Sequence, residues 1–242
     1  MKKAALNPHL SVDCVIFGYN DHSLSVLLVD REMPPAEKAN STYKDLKLPG
    51  GLIYNDELLI DAAARILEEL TTLQGVKLNQ FGVLDSLDRL SNEADRKWLE
   101  QTTGLTIDRV VSIAYYGIVS MKDLPESIPS AHWVDINNLD KLPFDHEKII
   151  CEALNVLRQH FKKEGLIFDI LPEKFTIHQL QSTLAVFYGE KADSRNFRKK
   201  IKKMDFIVPL EEKQQNVAHK PAQLYRYDKR RFRQFSNNRI NF

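Results

Sequence analysis

Short hydrophobic runs rich in β-branched and aromatic residues mark the strands in the first half of the chain. Leu10–Tyr19 and Leu24–Arg31 are two such runs, and the turn-forming residues Asn20–Ser23 join them. This arrangement predicts a β-hairpin. Three further strands are predicted at Asn79–Leu84, Val110–Ser120 and Ala131–Asp135.

Two longer stretches of the same half repeat their apolar residues with helical spacing. Over Glu57–Thr71 the apolar positions form one stripe, which predicts a helix capped by Asn55 or Asp56. A second helix is predicted after Asp145, and its stripe ends shortly before Gly165, a residue typical of helix C-termini. Strands and helices in mixed order predict an α+β domain.

Polar segments separate these elements. Met33–Asp45 holds two prolines and many polar residues, which predicts a loop, and Pro49–Gly51 predicts a tight, close-packed backbone. Leu87–Asp108 is polar and charged and is predicted to contain a short helix around Glu93–Gln101. An insertion, a lid and a subunit contact are all consistent with that segment.

The second half of the chain predicts short helices followed by a hairpin. Thr176 and Gln179 fit a capping box, which opens a helix that runs to Tyr188. A second helix is predicted over Ser194–Met204, and two strands follow, at Phe206–Leu210 and Ala222–Tyr227. Elements in this order are typical of a winged helix-turn-helix domain. The predicted domains are residues 1–165 and 166–242.

The charge distribution favours two domains with different partners. Of the 242 residues, the first 165 carry 18 Lys and Arg against 25 Asp and Glu, whereas the last 77 carry 16 against 8. An acidic domain followed by a basic domain produces this asymmetry of charge. With 43% apolar residues, two cysteines and no apolar run long enough for a membrane span, we expect a cytoplasmic protein with no membrane partner.

One spacing of residues in the first domain is specific. Gly51, Glu57, Arg65, Leu67 and Glu69 fall at the positions of the pattern G-x5-E-x7-R-E-U-x-E-E-x-G-U, where U is a bulky aliphatic residue. The stretch resembles the Nudix box. The resemblance implies a Nudix fold for most of the first domain, with a mixed β-sheet between helices.

Two positions depart from the box in a way that affects its chemistry. Ile66 and Leu70 stand where the pattern has glutamate, on one helical face. The resemblance implies that carboxylates of this face hold magnesium in Nudix enzymes, and aliphatic side chains offer no oxygen ligand. We therefore expect no metal site and no enzymatic activity, with Glu69 paired to Arg65. Carboxylates outside the box are an alternative metal site, although a solvated acidic loop explains them more simply: Asp85, Asp88, Glu93 and Asp95.

The resemblance extends to regulators in which a Nudix domain senses a metabolite, and it implies an effector pocket without a cofactor. Arginine and histidine side chains are candidate donors to sugar hydroxyls or a phosphate, and a tyrosine is a candidate for stacking on a ring. Core packing and surface ion pairs are the alternatives for these residues. The candidate effector-binding residues are Arg31, Gly50, Gly51, Asp88, Arg89, Tyr115 and His146.

The predicted helix Ser194–Met204 has a cationic face. Phe197, Ile201 and Met204 share one side, and lysines and arginines cluster on the other. Such a helix fits the major groove and its phosphates, although an ordinary solvated surface is the alternative. Its place between a capped helix and a hairpin, in a segment of net charge +8, favours nucleic acid. The candidate DNA-binding residues are Arg195, Asn196, Arg198, Lys199, Lys202, Lys203 and Lys220.

Together these features resemble the Nudix-related transcriptional regulators, which join a degenerate Nudix domain to a C-terminal winged helix. Leu171–Gln181 and Arg195–Lys199 are similar to segments of the arabinose-type sugar regulators. The resemblance therefore favours a pentose as effector over the ADP-ribose that the related nicotinamide-metabolism regulators sense. We expect a homodimer on double-stranded, pseudo-palindromic operator DNA, since a two-fold axis doubles the bases that are read. An active hydrolase of ADP-ribose or a related nucleoside diphosphate is the alternative function, and a pure interaction protein is a third.

Overall fold

The structure is a computed structural model that describes residues 4–20, 23–32, 44–124, 128–189, 193–215 and 220–236. The chain divides into two units, one of residues 1–19 and 24–153 and one of residues 20–23 and 154–242. In the described ranges, no helix combines the length and the apolar character that a membrane crossing requires.

A mixed sheet, seven-stranded in the described residues, lies at the centre of the first unit. Its strands are β1 (Leu6–Tyr19), β2 (Leu24–Glu32), β3 (Lys44–Lys47), β4 (Gly50–Tyr54), β5 (Asn79–Leu84), β6 (Val111–Ser120) and β7 (Ala131–Asp135). The order is β3-β2-β1-β6-β5, with β4 paired to β1 and β7 paired to β2. β1 and β6 are parallel and β1 and β2 form the antiparallel hairpin that the sequence predicted. The three further predicted strands are confirmed as β5, β6 and β7.

Three helices alternate with these strands along the chain. α1 (Leu59–Thr71) follows β4, α2 (Glu93–Thr103) follows β5, and α3 (His146–Glu164) follows β7. The second half of α3 belongs to the second unit. α1 packs on one face of β1, where Val12, Cys14 and Ile66 share a buried hydrophobic cluster. This cluster forms because the apolar stripe of α1 meets alternate residues of the central strand. The predicted position of α3 after Asp145 is confirmed.

The start of α1 was predicted two residues too early. The helix begins at Leu59, and no side chain caps it, so neither Asn55 nor Asp56 has the predicted role. The Glu57 carboxylate instead accepts a hydrogen bond from the Tyr54 backbone N–H at 2.6 Å and pairs with Arg65. These contacts hold the chain in a turn before the helix.

The described parts of the polar segments contain one strand that was not predicted and one helix that was. Residues 33–43 of the predicted loop lie outside the described residues, but Lys44–Lys47 forms β3, in which Asp45 is the register partner of Arg31. The predicted helix within Leu87–Asp108 is α2, and its buried Asp95 accepts a hydrogen bond from the Phe144 N–H at 2.9 Å. Part of this segment is therefore packed into the first unit.

In the described residues, the second unit contains a small sheet of three strands and three further helices. The strands are β8 (Lys174–Phe175), β9 (Ile207–Lys213) and β10 (Gln223–Tyr227), in the order β8-β10-β9. The helices are α4 (Ile177–Tyr188), α5 (Ser194–Ile201) and α6 (Lys229–Ser236). The predicted capping box of α4 is confirmed, since the side chains of Thr176 and Gln179 each accept a hydrogen bond from the backbone N–H of the other.

Helix α5 is shorter than predicted. It begins after the cap Asp193 and ends at Ile201 rather than at Met204. The N–H groups of Lys203 and Met204 bond to carbonyls three residues back, at 3.0 and 2.9 Å, which closes a tight turn. Lys202 and Lys203 therefore lie in the turn that follows the helix.

Helix α6 and strand β8 were not predicted. α6 starts directly after Asp228, whose carboxylate accepts hydrogen bonds from the N–H groups of Arg230 and Arg231, both at 3.0 Å. Phe232 is buried on its inner side. An N-cap aspartate and an aromatic pair at helical spacing were the local signals for this helix.

Candidate functional site

A cavity of about 40 Å³ lies in the first unit, on the face of the sheet away from α1. Asp13 lines it, and successive residues of a strand face opposite ways, so Val12 and Cys14 point to α1 instead. The cavity has room for a few water molecules. The charged and aromatic residues that line it are Asp13, Lys47, Arg89, Trp98, Phe144 and His146.

Asp13 is at the centre of the polar contacts. Its Oδ2 accepts hydrogen bonds from Arg89 Nη2 and from Ser112 Oγ, the latter at 2.6 Å. Burial by itself would raise the Asp13 pKa, but Arg89, His146, Ser112 and Lys47 outweigh it and lower the pKa. Asp13 is therefore a buried carboxylate that stays ionised.

Gly50 makes room for this carboxylate. A Cβ atom at this position would lie 2.1 Å from Asp13 Oδ1 and 2.8 Å from the backbone oxygen of Val12. No side chain fits such a gap without displacing the strand. Gly50, the first of the two glycines that the sequence singled out, is thus needed for the close approach of β4 to β1, whereas a Cβ atom at Gly51 would make only an ordinary contact at 3.6 Å.

His146, the first residue of α3, is neutral. Burial lowers its pKa to about 3. Its Nδ1 lies 3.1 Å from the Leu48 backbone N–H and accepts that hydrogen bond, so the ring proton is on Nε2, which lies 3.8 Å from Asp13 Oδ1. The ring presents a donor to the cavity, not a charge.

Lys47 is a buried amine at the same place. Its Nζ donates to the carbonyls of Leu48 and Gly50, at 3.0 and 2.9 Å. Burial lowers its pKa to about 8, although Asp13 opposes this shift. Neither Lys47 nor Asp13 was a predicted site residue. The sequence signal for Asp13 was a carboxylate inside the mainly apolar strand β1, whereas Lys47 ends the charged strand β3 and had no such signal.

Arg89 lines the cavity and has one donor without a partner in the described residues. One of its terminal nitrogens bonds to Asp13, and the other lies 3.3 Å from Asp145 Oδ1. Its buried Nε has no hydrogen-bond partner in the described residues. With Lys47 protonated, the residues that line the cavity include two cations and the one carboxylate of Asp13, and Asp145, which does not line it, also pairs with Arg89. Lys47 and Arg89 are of the right charge for an anionic group.

Three of the candidate effector-binding residues do not line this cavity. Arg31 is buried, but its guanidinium is held by Asp45 at 2.5 and 2.6 Å and by Asp95 at 2.5 Å. Tyr115 is the register partner of Cys14 and lies in the cluster under α1. Asp88 is exposed on a short 3-10 turn. The cavity brings together the other four, Gly50, Gly51, Arg89 and His146.

The degenerate box forms hydrophobic and ion-pair contacts. Ile66 is buried in the core cluster, and Leu70 packs against it. Arg65 binds both Glu57 oxygens, at 2.5 and 2.9 Å, and makes the predicted ion pair with Glu69 at 3.1 Å. Within the described ranges, no three His, Cys, Asp or Glu side chains are placed to hold a metal ion.

The second candidate site is the surface of α5. Phe197 and Ile201 are buried and fix the helix to the second unit. The cationic and amide side chains that were predicted to bind DNA are all exposed. Four of them are on the helix, two are in the turn after it and one precedes β10: Arg195, Asn196, Arg198, Lys199, Lys202, Lys203 and Lys220.

Comparison with known proteins finds a matching domain family in each of the two units. Residues 7–153 match the NUDIX domain. The chain belongs to the Nudix family. Residues 167–227 of this Nudix protein match the NrtR DNA-binding winged helix domain. The predicted fold, a Nudix-type sheet followed by a C-terminal winged helix, is confirmed, and so is the resemblance to Nudix-related regulators.

Three proteins are similar to the whole chain or to a part of it. The ADPR responsive transcriptional repressor NtrR of Acinetobacter baylyi is 27% identical over 229 residues, which are 91% of this chain and 82% of the relative. The ADP-ribose pyrophosphatase of Methanocaldococcus jannaschii is 31% identical over 147 residues, 60% of this chain and 72% of that enzyme. The structure of Shewanella oneidensis NrtR with a 27mer DNA has the same fold, with 24% identity, a TM-score of 0.64 and coverage of 92% and 94% of the two chains.

Proposed function

We propose that this Nudix protein is a DNA-binding transcriptional regulator whose Nudix domain binds a small effector without hydrolysing it. The cationic surface of α5 carries the proposal, because Phe197 and Ile201 anchor the helix and leave Arg195 and Arg198 exposed. The match of this region to the NrtR DNA-binding winged helix domain supports it. The name of the Acinetobacter repressor supports the regulatory role.

Sequence-specific DNA binding is expected to depend on Arg195 and Arg198. A guanidinium bonds two acceptors on a guanine edge, so replacing either by alanine should cost about 1–3 kcal/mol of discrimination. Lys199→Ala should weaken binding to every sequence alike, because an ammonium mainly meets phosphates. The measurement is a mobility-shift titration on an operator selected from random duplexes.

The lysine variant serves as the control for this prediction. Lys199→Ala should also reduce the slope of log affinity against log salt by about 0.9, whereas the arginine variants should change the preferred bases. If all three folded variants bind the operator like the unmodified protein, α5 is an ordinary solvated surface and the proposal fails.

We propose ADP-ribose, or a closely related nucleoside diphosphate sugar, as the effector. The pentose that the sequence favoured finds no support among these relatives. One of them is named an ADPR responsive repressor and another an ADP-ribose pyrophosphatase. Lys47 and the unpartnered Nε of Arg89 suit phosphate oxygens, and the Trp98 and Phe144 rings line the same cavity. Since the cavity is small, entry of a diphosphate requires these rings to move.

Loss of hydrolysis is part of the same proposal. Catalysis of diphosphate cleavage by a metal ion needs ligands that neutralise charge beside the leaving oxygens. The two positions that should supply them are Ile66, which is buried, and Leu70, which packs on the core. Glu57 and Glu69 both bind Arg65 instead.

ADP-ribose is expected to bind and to be recovered intact. Calorimetry with Mg²⁺ present, followed by chromatography of the nucleotide, measures both. Because the Lys47 pKa is about 8, the amine loses its proton as the pH rises, so affinity should fall between pH 7 and pH 9. Lys47→Met should weaken ADP-ribose binding about 10- to 100-fold, because it removes one charge-assisted hydrogen bond to the ligand.

Lys77→Met, at an exposed lysine of the same domain, is the matched control and should bind normally. Turnover of ADP-ribose near or above about 1 per second would instead identify an active hydrolase. Heat from L-arabinose or D-xylose, with none from ADP-ribose, would restore the pentose as effector.

We also propose a homodimer, with the acidic Nudix domain as the dimerisation unit. Two winged helices related by a two-fold axis read a pseudo-palindromic operator with twice the contacts of one. Sedimentation equilibrium at micromolar concentration should give about twice the 28.0 kDa of a single chain. A monomer that binds DNA as one copy would contradict this.

A further inference from the structure

Helix α6 lies outside the segment that matches the winged helix domain, which ends at residue 227. Its eight residues include four cations and no acidic residue. Phe232 is 2% exposed, and the rings of Phe232 and Phe235 both pack at 5.1 Å from the ring of Phe206. The helix is therefore fixed to the second unit by its aromatic side, and its cationic side faces outward.

This charge pattern is unfavourable for an isolated helix. Lys229 and Arg233 are four residues apart and repel each other. Cations in the first turn also have the wrong sign for the helix dipole. Within the part of the chain that the structure describes, no carboxylate pairs with Lys229 or Arg230, both of which are exposed. A bound polyanion would offset the repulsion between these cations and their unfavourable interaction with the helix dipole. It would also supply the negative charge that no carboxylate of the described residues provides to Lys229 and Arg230.

The position of α6 indicates which polyanion this is. Its cap residue Asp228 donates its backbone N–H to the Phe206 carbonyl at 2.8 Å, and Arg231 Nη1 donates to the Asp205 carbonyl at 3.2 Å. Asp205 and Phe206 directly follow the turn that carries Lys202 and Lys203. The cations of α6 and those at the end of α5 thus belong to adjacent, hydrogen-bonded segments.

We propose that α6 binds backbone phosphates of duplex DNA beside the bases that α5 reads, with Lys229 and Arg230 each meeting one phosphate. This second contact surface rests on the proposed function, since it requires the winged helix to bind DNA. It adds affinity without sequence preference, because phosphates carry no base information. It also makes the footprint longer than α5 and the wing alone would cover.

The test compares two charge-matched double variants of the full chain. One is Lys229→Gln with Arg230→Gln, and the control is Lys77→Gln with Lys141→Gln, at exposed lysines of the Nudix domain. Anisotropy of a labelled duplex of about 30 base pairs and arbitrary sequence is measured at several NaCl concentrations. The α6 variant should lose about 1.8 from the slope of log affinity against log salt, and at least about tenfold in affinity at 0.1 M. The control should lose neither.

Two outcomes would overturn the inference and are distinguishable from failure of the proposed function. If the unmodified protein binds and depends on Arg195 and Arg198, but the α6 variant keeps the slope of the control, α6 does not touch DNA. If the unmodified protein shows no DNA binding at all, both proposals fail. Equal thermal unfolding midpoints of the two double variants would show that a folding defect does not cause the difference in DNA affinity. Lys229→Glu with Arg230→Glu should lower the DNA affinity further than the glutamine variant does.

Discussion

Removing the carboxylate of Asp13 is expected to lower the free energy of unfolding of the Nudix domain by about 3–5 kcal/mol, because one partner of a buried ion pair is lost and the remaining buried cation is poorly compensated. Asp13→Ala leaves the Arg89 guanidinium, which is 6% exposed, with only the longer ion pair to Asp145 at 3.3 Å, and it removes the acceptor of Ser112. Urea unfolding followed by tryptophan fluorescence reports on this domain alone, since the two tryptophans, Trp98 and Trp133, both belong to it.

The control is Asp108→Ala at an exposed aspartate, which should change stability by no more than about 0.5 kcal/mol. Because the pKa of folded Asp13 is below its ordinary value, its contribution is present above about pH 4 and is lost as the pH falls through the folded pKa. The difference between Asp13→Ala and the unmodified protein should therefore narrow in acid. A cost under about 1 kcal/mol at neutral pH would mean that Asp145 or water compensates the Arg89 charge and would contradict the prediction.

Replacing Phe206 by alanine is expected to cost about 3–5 kcal/mol and to unfold the winged helix domain. The side chain is fully buried, and its ring lies 5.1 Å from those of Phe232 and Phe235 and 6.1 Å from that of Phe168. This cost is a large fraction of the 5–15 kcal/mol that stabilises an ordinary domain. DNA binding should therefore be lost with the fold, and not through any change of contact residues.

Phe206→Leu is the matched control, since it retains most of the apolar volume and should cost less. Circular dichroism follows the loss of helix, while the tryptophan transition of the Nudix domain should stay in place. Normal DNA binding by Phe206→Ala would show that the aromatic cluster does not support α5 and α6.

Local signals in the sequence determined most elements of this protein. Helical spacing located α1 and α3, the Thr176 capping box located α4, and runs of β-branched residues located the hairpin. These signals are local because backbone hydrogen bonds and caps join residues a few positions apart. The loss of the carboxylates at Ile66 and Leu70 was equally visible without a structure. The sequence did not predict α6, although its cap residue Asp228 is a recognisable helix signal. It predicted that α5 continues to Met204, whereas the helix ends at Ile201.

Only the tertiary structure decided which charged residues meet at the cavity. From the sequence Arg31 and Arg89 were equivalent candidates, yet Asp45 and Asp95 engage the first, whereas the second lines the cavity and has a buried Nε without a partner in the described residues. Asp13 and Arg89 are 76 positions apart, and the parallel pairing of β1 with β6 puts Tyr115 on the other face. Burial, pKa and free hydrogen-bonding capacity depend on partners brought together by folding, which no local pattern of residues contains.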